Sequence, residues 1–166
     1  PGRCWVYTQE KMRRQIDEGN IWFGKRGDGV PRIKRFLSTS PVGLTPETLW
    51  LAEEVGTNDE AKKQLLKLFP DADVFDTPKP EGLIRRVLEI ASDPGDLVLD
   101  AFLGSGTTAA VAHKLNRRYI GIERGDHAVS HCAARLRMVV DGDPTGISGD
   151  VAWSGGGGFD FYRARG

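Results

Sequence analysis

Asp96-Leu-Val-Leu-Asp-Ala-Phe-Leu-Gly-Ser-Gly-Thr-Thr108, followed by Arg118-Tyr-Ile-Gly-Ile-Glu123, decides the fold. A short apolar run, Leu97 to Leu99, ends in Asp100. The chain then turns through Gly104 and Gly106 and enters an alanine-rich stretch from Thr107 to Leu115 that reads as a helix. A second apolar run, from Arg118, ends in Glu123. This is the sequence form of a β-turn-α-β unit that holds a nucleoside-bearing ligand. Glycines let the backbone approach the ligand, and a carboxylate closing the second strand can accept ribose hydroxyls. Asp100 and Glu123 are 23 residues apart, close to the roughly 20 expected for one crossover.

The pattern also narrows the ligand. Ala109 follows Gly106-Thr-Thr108 where a dinucleotide fingerprint carries its third glycine, which argues against a plain NAD-binding domain. No Gly-Lys-Ser/Thr is present, which argues against ATP or GTP. A cofactor with a ribose but no pyrophosphate fits, and S-adenosylmethionine is one.

Working outward, Pro80 starts a predicted helix from Glu81 to Ala91, with Leu83, Ile84, Val87, Leu88 and Ile90 at helical spacing. Asp93-Pro-Gly-Asp96 turns into the first strand. Asp59 to Phe69 reads as an amphipathic helix with Ala61, Leu65, Leu68 and Phe69 on one side, stopped by Pro70. Thr45-Pro46-Glu47 has the form of another helix start. Ala128 to Val140 is the last predicted helix, ended by Asp141-Gly-Asp-Pro144. Near the amino terminus, Trp5 to Tyr7 and Ile21 to Phe23 read as short strands, Glu10 to Glu18 as a polar helix, and Gly24 to Gly29 as a turn. In the tail, aromatics flank four glycines between Val151 and Tyr162, the pattern of a flexible-tipped hairpin. Alternating strands and helices predict an α/β fold with a mostly parallel sheet flanked by helices, its ligand at the carboxyl ends of the strands.

The chain has 166 residues, 28% charged and 39% hydrophobic, which is the composition of an ordinary folded domain. No apolar run approaches the roughly 18 residues of a membrane span, and no signal peptide is visible. Cys4 and Cys132 are distant and form no CxxC, which suits a reducing cytoplasm and argues against zinc. His127 and His131 lie four apart without an HExxH pattern, so a solvated helix face is expected there. Net charge is zero but uneven: residues 1–37 carry nine Lys/Arg and four Asp/Glu, while residues 38–76 carry three and eight. The basic start is compatible with a polyanion. A chain that begins at Pro1 is expected to be a piece of a longer protein or a processed one.

At this point the chain resembles a known family. Asp100-Ala-Phe-Leu-Gly-Ser-Gly-Thr-Thr108 looks like the cofactor motif of amino-methylating DNA methyltransferases. Thr77-Pro-Lys-Pro-Glu-Gly-Leu-Ile-Arg-Arg86 looks like the helix entry beside the methionine end of their cofactor, and Tyr119-Ile-Gly-Ile-Glu123 like their ribose-binding strand. The order, Lys-Pro helix before glycine motif, resembles the permuted β group. Ile21-Trp-Phe-Gly-Lys-Arg-Gly-Asp-Gly29, Pro46-Glu-Thr-Leu-Trp50, Glu54-Val-Gly-Thr-Asn58 and Trp153-Ser-Gly-Gly-Gly-Gly-Phe159 resemble the modification subunit of type III restriction-modification systems.

The resemblance implies a Rossmann-like, S-adenosylmethionine-dependent methyltransferase fold, present in part, that methylates adenine N6 in specific DNA sequences. Residues 1–70 would be the end of a target-recognition region, 71–145 the cofactor-binding part, and 146–166 the aromatic and glycine hairpin. Asp100, Phe102, Gly104, Ser105, Gly106 and Thr107 would line the cofactor, Glu123 would grip the ribose, and Thr77 and Lys79 would face the amino-acid end. Arg13, Arg14, Lys25, Arg26, Arg32, Lys34 and Arg35 would contact phosphates of double-stranded DNA, while Trp22 and Phe23 are expected to pack. A helicase-nuclease restriction subunit and a second copy of the chain are the protein partners the family implies. The family's catalytic Asp/Asn-Pro-Pro-aromatic tetrapeptide does not occur in these 166 residues. Cofactor binding without methyl transfer is therefore expected of this chain alone. A cofactor-binding scaffold and a methyltransferase of another substrate class are the competing readings.

Overall fold

The computed structural model describes residues 7–40, 43, 45–70 and 75–163. The strand expected at Trp5 to Tyr7 falls mostly outside them. The chain divides after Thr45 into two compact units.

The first unit is small. Helix α1 (Gln9–Asp17) starts where Thr8 Oγ1 accepts the Lys11 N–H, and it buries no side chain. Strands β1 (Ile21–Trp22) and β2 (Arg32–Ile33) pair antiparallel, with Trp22 opposite Arg32. The turn between them closes on a Gly29 N–H to Phe23 carbonyl bond of 2.7 Å. A single 3₁₀ turn, Leu37–Thr39, follows.

Where the second unit begins, Pro46 starts no helix. Leu49 and Leu51 are exposed, and a helical nucleus with no apolar burial is not sustained. Helix α2 (Ala52–Val55) is one turn, stopped by Gly56 at φ +83°. Helix α3 (Asn58–Leu68) opens on a capping box, the side chains of Thr57 and Glu60 each bonding the other's backbone N–H, and buries Ala61 and Leu65. Helix α4 (Glu81–Ala91) follows Pro80, whose ring stands at the cap position.

Strand β3 (Leu97–Asp100) and strand β4 (Arg118–Gly121) run parallel, Leu97 opposite Arg118 and Asp100 opposite Gly121. Helix α5 (Thr107–Lys114) joins them and is buried almost all round. Its alanines let neighbouring backbones approach. Val111, Ala112 and Leu115 form the core with Leu88 of α4 and Ile147, and Ile84, Val98, Tyr119 and Val151 pack on it. The helix ends in a Schellman motif: Asn116 takes φ +58° and donates to His113, and Arg117 donates to Ala112. The buried Arg117 guanidinium then ties the Leu115 carbonyl to Ser92 at the end of α4.

The last predicted helix forms over the expected span but is not uniform. Ala128–Ala133 is π-helical and continues as α6 (Ala134–Val140). The tail departs from expectation: residues 153–163 form no strand and hence no hairpin. Trp153 Nε1 donates to the Val139 carbonyl at 2.8 Å, the Gly156 N–H donates to Val140, and His113 Nε2 bonds the Gly156 carbonyl at 2.9 Å. Those bonds lay the glycine run along α5 and α6. Among the described residues the architecture is α/β with a small parallel sheet.

Candidate cofactor site

The turn after β3 is built by its own backbone. Asp100 Oδ1 accepts the Phe102 N–H at 3.0 Å. The Leu103 N–H donates to Ile122, which carries the chain across to the end of β4, and the Gly106 N–H donates back to Leu103. Gly104 and Gly106 take φ +58° and +81°, in the left-handed region. A Cβ at Gly104 would stand 3.1 Å from the Phe75 ring, and one at Gly106 3.2 Å from Cys132 Cα. Both glycines are therefore required twice, by conformation and by close approach.

Glu123 closes the turn from the other strand. Its Oε2 accepts the Gly104 N–H at 2.7 Å and its Oε1 accepts the Gly125 N–H at 2.9 Å. His127 Nε2 lies 3.1 Å from the same Oε1, and the His127 ring packs edge-on against Phe75. The Gly125 N–H holds the carboxyl below its usual range; burial opposes this, and the Gly104 N–H and His127 reinforce it. The group is an anion at neutral pH. Each oxygen has accepting capacity left.

Ser105 and Thr107, both buried, bond each other through their hydroxyls at 3.2 Å. Cys132, from the π-helical stretch, donates its thiol to the Gly104 carbonyl at 2.9 Å. Burial pushes that thiol up to about 12, with the Glu123 charge adding to it. A π-helical insertion re-aims side chains within a helix, and here it sets Cys132 under the glycine turn.

The structure thus links Asp100 to Phe102, Gly104 to Glu123, and Ser105 to Thr107. Phe102 is 90% exposed beside them, so it is no core residue. Thr77 and Lys79 are exposed at the entry to α4, alternating with the buried Pro78 and Pro80, and share no hydrogen bond with the turn. An open groove of about 1340 Å³ runs from Leu103, Glu123 and Gly125 past Cys132 to the tail at Gly157 and Phe159. Glu123 is the one predicted site residue that lines it.

Sequence reasoning missed a buried ionic cluster behind the turn. Glu81, Lys114, Arg135 and Asp143 are two anions and two cations, each with a side chain about 1% exposed or less. Lys114 Nζ reaches Glu81 and Asp143 at 3.0 Å and the Thr145 carbonyl at 3.0 Å. Arg135 reaches Glu81 at 2.8 Å and Thr107 Oγ1 at 2.9 Å. Burial raises the Glu81 carboxyl, but Arg135, Lys114 and the Ile147 N–H outweigh it and hold it low. The available signal was a cation inside an apolar run of each of two helices, Lys114 after Ala109-Ala-Val-Ala-His113 and Arg135 among Ala133, Ala134 and Leu136.

The seven basic candidates of the first unit, Arg13, Arg14, Lys25, Arg26, Arg32, Lys34 and Arg35, are all exposed. Arg14 pairs with Glu18 at 2.7 Å. Arg32 stands over the Trp22 ring at 6.0 Å, and that ring is exposed where packing was expected, while Ile21 beside it is buried.

A family model for DNA methylase matches residues 5–134. The probable type III restriction-modification enzyme HindVI Mod subunit of Haemophilus influenzae is 56% identical over 81 residues, 49% of this chain and 11% of that protein. The type III restriction-modification enzyme StyLTI Mod subunit of Salmonella typhimurium is 37% identical over 114 residues, 69% of this chain and 17% of that protein. The chain thus spans less than a fifth of the length of either relative. The match runs through α3, α4, the glycine turn and Glu123, and the chain belongs to the DNA methylase family.

Proposed function

We propose that this chain holds the cofactor of a type III modification methyltransferase that methylates adenine N6 in specific DNA sequences. The observation that carries the reading is the Gly104–Thr107 turn closed by an ionised Glu123 at the carboxyl ends of two parallel strands. That arrangement fits S-adenosylmethionine: two glycines without Cβ, a helix amino terminus, and a carboxylate with accepting capacity. When bound, the cofactor supplies a sulfonium methyl for transfer to the adenine amino nitrogen. Glu123 accepts the ribose hydroxyls. Asp100, Phe102, Gly104, Ser105, Gly106 and Thr107 line the adjoining part, and Thr77 and Lys79 face the carboxylate and amine of the methionine end. The fold is Rossmann-like, with β3 and β4 as neighbouring strands of a mostly parallel sheet.

Residues 1–70 serve as the end of the target-recognition region, with Arg13, Arg14, Lys25, Arg26, Arg32, Lys34 and Arg35 on DNA phosphates. Residues 71–145 form the cofactor-binding part, and residues 146–166 run beside it. The family's tetrapeptide holds the amino group of a flipped-out base, and no adjacent pair of prolines stands in this chain. Methyl transfer therefore needs that tetrapeptide from elsewhere, and the chain alone binds cofactor without turnover. A helicase-nuclease restriction subunit and a second modification subunit are the partners proposed.

Calorimetric titration with S-adenosylhomocysteine tests this, with Glu123→Ala as control and NAD as competitor. The expected result is saturable binding, unmoved by NAD, that Glu123→Ala weakens by more than about 1.4 kcal/mol, or tenfold. A folded protein that binds no S-adenosylhomocysteine, or binds it equally well without the Glu123 carboxylate, refutes the assignment.

A further inference from the structure

We infer that Arg135 is a positioning residue for the cofactor turn, acting through Thr107 and Ser105; this rests on the cofactor reading above. Arg135 is the largest fully buried side chain among the described residues, and its guanidinium divides its donors between two tasks. Nη2 donates to Glu81 Oε1 at 2.8 Å, within the four-charge cluster. Nη1 donates to Thr107 Oγ1 at 2.9 Å and to the Ser105 carbonyl at 3.4 Å, on the turn itself. Nε has no partner.

The geometry is one-directional. Glu81 is fixed by four hydrogen bonds from three groups besides Arg135: from Lys114 Nζ to both its oxygens at 3.3 and 3.0 Å, from the Gln64 amide at 3.0 Å, and from the Ile147 N–H at 3.0 Å. Lys114 is fixed in turn on Asp143 and Thr145. Arg135 hangs from that anchor and reaches forward to the turn. It sits two residues beyond the π-helical stretch whose Cys132 bonds the Gly104 carbonyl, so one continuous helix touches the turn at Gly104, Ser105 and Thr107. Thr107 is the first residue of α5. Setting its hydroxyl, and the Ser105 carbonyl, sets where the amino-terminal N–H groups of α5 point. A guanidinium suits this role because its fork is planar and pre-organised, whereas an ammonium serves one direction at a time.

Arg135→Lys separates the two tasks. Lysine keeps a cation for Glu81 but lacks the rigid fork that spans Glu81 and Thr107. The expected result is a melting temperature near that of the unchanged protein, S-adenosylhomocysteine affinity lowered about tenfold or more, and faster hydrogen exchange confined to the Gly104, Gly106 and Ala110 amides. A merely structural role is rescued by lysine in all three readouts. In the exchange readout of the ligand-free protein, Thr107→Val placed on Arg135→Lys adds no further loss if Arg135 acts through that hydroxyl. Affinity and exchange unchanged in Arg135→Lys overturn the inference, as does full additivity of the two substitutions in ligand-free exchange. Should the unchanged protein bind no S-adenosylhomocysteine, the cofactor reading fails by itself. The exchange readout then decides the positioning role: selective loss at those three amides upholds it, and none overturns it.

Discussion

Replacing Lys114 by methionine tests whether the buried cluster is a coupled set of charges. Methionine matches the length of the lysine stem but carries no charge. Lys114 Nζ lies 3.0 Å from a carboxylate oxygen of Glu81 and 3.0 Å from one of Asp143. Each pair is worth roughly 5 kcal/mol at an effective dielectric of about 20. Against this stands a desolvation cost of several kcal/mol per ion, so the intact cluster contributes little net stability. Removing one cation changes the balance. Two carboxylates, both 1% exposed, are left with the single guanidinium of Arg135, which reaches Glu81 and not Asp143. Breaking a buried pair in this way costs about 3–5 kcal/mol, out of a total of roughly 5–15 kcal/mol for a domain. At about 2–4 °C per kcal/mol for a chain of this size, the melting temperature falls by about 6–20 °C. Urea unfolding followed by circular dichroism measures the loss. Lys114→Met with Asp143→Asn restores neutrality, because Glu81 and Arg135 still pair and asparagine can still accept the Thr145 N–H. That double variant is expected to lose at least about 1 kcal/mol less than the two single losses together. A loss below about 1 kcal/mol for Lys114→Met, or two losses that simply add, refutes the reasoning.

Leu88→Ala, in the core against Val111 and Ile147, is expected to cost about 2–5 kcal/mol in the same assay, whereas Leu99→Ala, 64% exposed on the sheet, should change stability by less than about 1 kcal/mol. Gly106→Ala places a Cβ at φ +81° and 3.2 Å from Cys132 Cα; it is expected to destabilise by about 1–3 kcal/mol and to weaken S-adenosylhomocysteine binding, which calorimetry reads. Acid titration of stability follows from Glu81, Glu123 and Asp143, whose folded carboxyls lie below their usual values of 4.5, 4.5 and 3.8. The unfolded chain therefore takes up protons first, so stability is full above pH of about 4.5 and declines as pH falls through and below that range; Glu81→Gln flattens part of this decline.

The β-turn-α-β unit could be read from sequence because its signals are local and agree. A four-residue apolar strand, two glycines in left-handed conformation, an alanine-rich helix and a second strand each point to the same unit. The same holds for α4 behind Pro80 and α3 behind its capping box. What failed depends on distant partners. Thr45-Pro46-Glu47 has good capping chemistry, but the apolar residues after it find nothing to cover them. The tail has the glycines and aromatics of a hairpin, yet Trp153 and His113 pack edge to face and draw it onto α5 and α6. The ionic cluster is the clearest case. Gln64, Glu81, Lys114, Arg135 and Asp143 are spread over 80 residues, on four helices and a loop, and no spacing rule connects them. A lone charge in an apolar helix says only that a partner must exist.

The two kinds of interaction in this unit hold different things in place. Apolar burial around α5, by Leu88, Val111 and Ile147, is non-directional. It is also one-sided. Val98 and Tyr119 face the core, but Leu97, Leu99, Ile120 and Ile122 are exposed, although parallel sheets are ordinarily covered on both faces. The ionic cluster contributes direction instead. Its hydrogen bonds, most of them between 2.8 and 3.0 Å, are satisfied together in only one register of α4, α5, α6 and the 143–147 loop, because hydrogen bonds weaken steeply with angle. Since Arg135 ends on Thr107 and the Ser105 carbonyl, that register is delivered to the turn. Burial makes the unit fold, and the charges decide where Gly104 to Thr107 stand when it has folded. A ligand that needs backbone N–H groups and a carboxylate in fixed relation depends on the second more than on the first.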